Sequence, residues 1–175
     1  MKSPSRTILI GGTLSAALTA PVVAAAAPAT MDVTITIPQL KVAEYHRPYV
    51  AIWVEKAGTP PKTVAVWYDD DMQKNEGTKW LRDVRQWWRA SGRTMKFPAN
   101  GISGATRAPG AQKISFSRAQ LGATAAGEYT LVIEAAREVG GRELLRIPFS
   151  WPAKAGAGGR AAGKTELGAV TIAFR

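Results

Sequence analysis

Seven short stretches bounded by turn formers read as strands, the first with a clean two-residue alternation of apolar and polar residues, and one segment has helical spacing. Strands and helices nowhere alternate along the chain, so the sequence predicts an all-β, immunoglobulin-like β-sandwich of about seven strands with one helix-containing excursion.

Ahead of the strands, Lys2 and Arg6 open a mostly small and apolar stretch that ends at Ala24, Ala25 and Ala26. This is the pattern of a cleavable signal peptide over residues 1–26, cut near Ala26. Gly11, Gly12, Thr13, Ser15, Thr19 and Pro21 dilute its hydrophobicity below that of a membrane anchor. The expectation is an exported, periplasmic protein, 27–175 forming a single sandwich domain with no stable membrane insertion after cleavage.

Val33, Ile35 and Ile37 alternate with Thr34 and Thr36 as the first strand, which Pro38 ends. Pro48 to Val54 read as the second, with Tyr49, Ala51 and Trp53 on one face. Gly58 to Pro61 form a turn, and Thr63 to Tyr68 are the hairpin partner, so the first half reads as a meander. Within Lys79 to Ala90, residues Trp80, Leu81, Val84, Trp87 and Trp88 recur at helical spacing, predicting one continuous helix. It lies in a long connection from about Asp69 to Ala111, and long connections in compact domains tend to be functional. Strands return at Lys113–Ser117, Glu128–Glu138, Leu144–Trp151 and Ala169–Phe174, with a hairpin turn at Val139 to Arg142. Ala153 to Lys164, rich in Gly and Ala, reads as a flexible surface loop.

The chain has 23 Lys and Arg against 13 Asp and Glu, a net charge of +10 that falls to about +8 once the leader takes away Lys2 and Arg6. The basic residues are scattered without a dense run, which together with export argues against nucleic acid as partner. No Cys and a single His, His46, leave no thiolate or His-rich metal centre, and no metal site is expected. His46 lacks a set of catalytic partners, and Asp69, Asp70 and Asp71 lack the spacing of a calcium loop, so both read as surface features. There is no triad, phosphate-cradling loop or carboxylate pair, and therefore no expectation of an independent enzyme.

Ser103, Gly104, Ala105 and Thr106 stand between the turn formers Asn100–Gly101 and Pro109–Gly110, which predicts an exposed loop. The tetrapeptide resembles the flavin attachment motif of the flavin-bearing subunits of sodium-pumping and Rnf-type electron-transfer complexes. By that resemblance an exported, magnesium-dependent FAD:protein FMN transferase would join FMN to Thr106 through a phosphoester, with Ser103, Gly104 and Ala105 as recognition context. Small residues suit this chemistry, because the hydroxyl must come in line with a phosphorus atom inside another enzyme's site. Outside the tetrapeptide the chain does not resemble those subunits. An aromatic face of Trp80, Trp87 and Trp88 could stack on the flavin while Arg85 or Arg89 pairs with its phosphate. The same residues equally describe a buried aromatic stripe with a solvated basic side.

The stretches YHRPYVAIWVE (Tyr45 to Glu55), AVWYD (Ala65 to Asp69), KWLRDVRQWWR (Lys79 to Arg89), ISGATRAPG (Ile102 to Gly110) and GEYTLVIEAAREVGGRELLRIPFSW (Gly127 to Trp151) are similar to the family called domain of unknown function 2271. That resemblance implies a periplasmic protein encoded beside PepSY-type membrane proteins and the flavin transferase. The two resemblances together imply an electron carrier with covalent FMN on Thr106, serving a membrane redox partner. The alternative is a non-redox accessory module that docks to a membrane protein, and a third is a metal or haem handling accessory.

Overall fold

The computed structural model describes residues 30–175, and the leader expected at 1–26 lies outside them. The described residues form nine strands: β1 (Thr30–Ile37), β2 (Tyr49–Glu55), β3 (Lys62–Tyr68), β4 (Ser103–Ala105), β5 (Gly110–Ser117), β6 (Gly127–Ala136), β7 (Arg142–Trp151), β8 (Gly158–Ala162) and β9 (Ala169–Phe174). They make two sheets, ordered β5-β1-β9-β8 and β4-β3-β2-β6-β7. The architecture is the all-β sandwich that the sequence predicts, with β4 and β8 added to the seven expected strands.

The β2–β3 and β6–β7 hairpins form as their turns predict. The meander does not: β1 pairs with β5 and β9 in the other sheet, not with β2. Its alternating Met31, Val33, Ile35 and Ile37 are buried between the sheets, a face that a purely local pairing could not cover.

The five-stranded sheet is covered on both faces. Val50, Ile52 and Val54 point into the core between the sheets. Tyr49, Ala51 and Trp53 form a second core with Val66, Tyr68, Leu81, Val84 and Trp87, so the excursion between β3 and β4 packs on this sheet's outer face. Double coverage explains why β2 and β3 read as nearly continuous apolar runs.

The single helix expected over Lys79 to Ala90 is broken. Short 3-10 turns run over Gln73–Asp83, Val84 leaves helical geometry at ψ 72°, and helix α1 covers only Arg85–Ala90. The cause is Glu134 on β6, 2% exposed, whose carboxylate accepts the N–H groups of Gln86 (2.9 Å) and Trp87 (2.9 Å). A continuous helix would commit those N–H groups to carbonyls one turn back and leave the buried carboxylate bare. A further short helix, α2 (Arg118–Leu121), starts with a Ser117–Gln120 capping box.

The Gly and Ala stretch expected to be a flexible loop holds β8, antiparallel to β9. Its glycines answer to packing: a Cβ on Gly158 would overlap the Ile172 carbonyl, and one on Gly159 would lie 2.6 Å from Ile147 Cγ2.

Candidate functional site

At one end of the five-stranded sheet β3, β4 and β6 finish and β2 begins. Register aligns Ala105 with Tyr68, and Tyr49 with Ala136, so the residues that follow or precede them meet at this end. A cleft of about 530 Å³ opens there, lined by Thr106, Asp69, Tyr45, Arg47, Trp80 and Arg137 among others. That volume lies within the usual range of small-molecule sites.

Thr106 does not sit on an exposed loop. It directly follows edge strand β4, which pairs in parallel with β3, and only 9% of the residue is exposed. Its backbone N–H donates to the Tyr68 carbonyl (3.1 Å), and its hydroxyl donates to Asp69 Oδ1 (3.1 Å). The Tyr49 phenol donates to the Gly77 carbonyl (3.1 Å) and more distantly to Asp69 Oδ2 (3.3 Å). Burial, together with the adjacent Asp69 carboxylate, pushes the Tyr49 phenol above its ordinary pKa, so it stays a neutral donor. Gly77 fits here because it has no side chain; a Cβ would overlap the Asp69 carbonyl. Asp69 is thus a structured acceptor, where the sequence suggests only a solvated turn.

The rest of the tetrapeptide shapes the strand. Ser103 Oγ accepts the Ala99 N–H (2.9 Å), which closes the turn before β4. Gly104 lies against the Trp67 ring, where an added Cβ would touch Cδ1 at 3.7 Å, and the Arg107 guanidinium covers the same ring at 5.3 Å. Ala105 lines the cleft beside Thr106.

The aromatic and basic residues predicted to hold a flavin are not the ones gathered around Thr106. Trp87 is fully buried, and its indole N–H donates to Thr63 Oγ1 (3.0 Å), so it offers no face to a ligand. Trp88 is half-buried against Trp87, at 6.1 Å between ring centroids, and does not line the cleft. Arg85 and Arg89 are exposed and also lie outside the lining. Breaking the helix at Val84 separates these four from Trp80, which is 38% exposed and does line the cleft.

Sequence reasoning missed Tyr45, Arg47, Arg137 and Glu138 as cleft residues. Arg137 is held by a bidentate ion pair with Glu166, Nε to Oε2 at 2.9 Å and Nη2 to Oε1 at 3.2 Å, with side chains 7% and 4% exposed. Gly141 N–H donates to the same carboxylate at 2.8 Å. Two buried polar atoms have no hydrogen-bond partner among the described residues: Arg137 Nη1 and Tyr45 Oη. Both belong to residues that line this cleft. An unpaired buried donor costs about 1–3 kcal/mol, so two in one cleft mark a place where a ligand's acceptors would be stabilising. His46 stands between Glu44 (3.0 Å) and Glu138 (3.5 Å) at the rim. With Asp69, Asp71, Asp83 and Glu138 facing Arg47 and Arg137, the lining is of mixed sign. It suits a polar, partly aromatic group of low charge better than a polyanion.

The family model described as Predicted periplasmic protein (DUF2271) matches residues 30–169. No curated protein and no solved structure matches the chain.

Proposed function

We propose, from the premise that the chain belongs to the DUF2271 family of predicted periplasmic proteins, that it carries covalently attached FMN on Thr106 and serves as a periplasmic electron carrier. The observation that carries this reading is the position of the Thr106 hydroxyl at a cleft whose lining includes two residues with unpartnered buried donors. An exported FAD:protein FMN transferase would form the phosphoester, and a PepSY-type or other membrane redox protein would exchange electrons with the loaded carrier.

The residues present fit an FMN group. Ala105, which lines the cleft beside Thr106, keeps the approach to the hydroxyl free of bulk. Thr106 and Arg137 immediately follow Ala105 and Ala136, which lie on strands three inter-strand steps apart, about 14 Å. A phosphate, a five-carbon chain and a three-ring system can bridge such a distance. Trp80 and Tyr45 offer aromatic faces for stacking, and Arg137 Nη1 and Tyr45 Oη offer donors to ring carbonyls. Bound flavin supplies one- and two-electron transfer, while the protein holds the ring and limits its contact with water.

The test is the intact mass and visible spectrum of the mature chain co-expressed with an exported FAD:protein FMN transferase, beside Thr106→Ala. A yellow protein heavier by one FMN residue, with the gain lost in the variant, is the expected result. A colourless, unmodified wild type would refute the carrier reading and favour a non-redox docking module.

A further inference from the structure

We infer that Asp69 is the proton acceptor when Thr106 is loaded, a catalytic group supplied by the carrier itself; this rests on the flavin-carrier reading above. A threonine hydroxyl is a weak nucleophile at its ordinary pKa and needs a base at hydrogen-bond distance. Asp69 Oδ1 is at 3.1 Å from Thr106 Oγ1, and no other side chain among the described residues hydrogen-bonds that hydroxyl. Backbone contacts fix both partners. Thr106 N–H is tied to the Tyr68 carbonyl, one residue before Asp69, and the Asp69 backbone packs closely on Gly77. Tyr49 reaches Asp69 through Oδ2 (3.3 Å), which leaves Oδ1 to the threonine among the side chains described.

The step balances without a redox partner. As the Thr106 Oγ1–phosphorus bond forms, the hydroxyl proton passes to Asp69 Oδ1. The bond between the FMN-side phosphorus and the bridging oxygen of FAD breaks, and AMP leaves with that oxygen and its electron pair. Magnesium in the transferase would neutralise the phosphate charge, so that the negative carboxylate is tolerated beside it.

The competing role for Asp69 is a latch that holds the Gln73–Asp83 segment through Tyr49 and Gly77. Transferase kinetics with the unloaded chain as substrate separate the two, using FAD, magnesium and time-resolved intact mass. Asp69→Asn keeps an acceptor of the same shape but removes the base, and should lower kcat about a hundredfold with KM for the carrier unchanged. Thr78→Ala removes the hydroxyl bond to the Asn75 carbonyl that closes the same segment, and should load at the wild-type rate. Loading of Asp69→Asn within about threefold of wild type would overturn the inference while leaving the carrier reading intact. So would a rise in KM with kcat held, or a loss in Thr78→Ala as large as in Asp69→Asn. If Asp69→Asn does not fold, the pH dependence of wild-type loading decides: a rate that stays flat as pH falls through the carboxylate range, where a base would be protonated, overturns the inference. A wild type that gains no FMN would remove the carrier reading and this inference with it.

Discussion

Replacing Glu134 with alanine tests whether a buried carboxylate holds the excursion on the sheet. Glu134 is 2% exposed and receives the N–H groups of Gln86 and Trp87, both at 2.9 Å. Without it, the Trp87 N–H stays buried with no acceptor, while Gln86 is exposed and its N–H can turn to water. One stranded donor and one lost charge-assisted bond together amount to about 3–5 kcal/mol. At about 2–4 °C per kcal/mol for a domain of this size, the melting temperature should fall by about 10 °C. Glu134→Gln keeps one acceptor oxygen and should cost about 1–2 kcal/mol. Thermal unfolding followed by circular dichroism gives the ranking, and tryptophan emission reports whether Trp87 has moved into water. Removing a buried charge also relieves its desolvation, and this opposing effect can win. An alanine variant as stable as wild type would show that it does, and the account of the broken helix would fail.

Thr106→Ala should cost about 1 kcal/mol in the unloaded protein, since Asp69 keeps Tyr49 and gains water; a loss above about 3 kcal/mol in urea unfolding would contradict the contacts described. Arg137→Ala strands the Glu166 carboxylate and should destabilise by about 3–5 kcal/mol, whereas Tyr45→Phe removes an unpaired hydroxyl and should leave the unloaded protein as stable or slightly more so. Gly159→Ala sets a Cβ 2.6 Å from Ile147 and should cost about 1–3 kcal/mol, with faster amide exchange confined to β8. Burial alone would raise Glu143, but the N–H groups of Lys164, Leu167 and Thr165 outweigh it and hold the carboxyl below its ordinary value. A lowered folded pKa means that this contribution is complete above the ordinary carboxylate range and is lost as pH falls through the folded value. The gap in melting temperature between wild type and Glu143→Gln should therefore be full near neutrality and close in acid.

Seven strands were legible because each is a short run of strand-forming residues, alternating in β1 and almost wholly apolar in β2 and β3, and the two hairpins because their turns are local. What escaped depends on neighbours distant in the chain. Nothing in residues 79–90 tells that Glu134, some fifty positions later, will draw two N–H groups out of a helix. Glycines in 153–164 look like linker residues until Ile147 and Ile172 are known to press on them. Three-residue β4 is too short for any period, and its strand character comes from pairing with β3. Periplasmic localisation, carried by the leader pattern, agrees with the family.

The candidate site divides along the same line. Thr106, the residue proposed to accept the flavin, lies in a contiguous motif and could be found by reading along the chain. The walls of the site could not, because Tyr45, Asp69, Trp80 and Arg137 come from three separate connections, β1–β2, β3–β4 and β6–β7, that share only the end of one sheet. Trp87 illustrates the cost of relying on proximity in sequence to the motif. The same helical spacing that made it a stacking candidate drives it into the second core, where Thr63 and Gly92 enclose it. By filling that core, Trp87 anchors the excursion and so helps to hold Trp80 at the cleft. Trp87→Ala should therefore harm any ligand of the cleft through Trp80, and Trp80→Ala should do so without a comparable loss of stability.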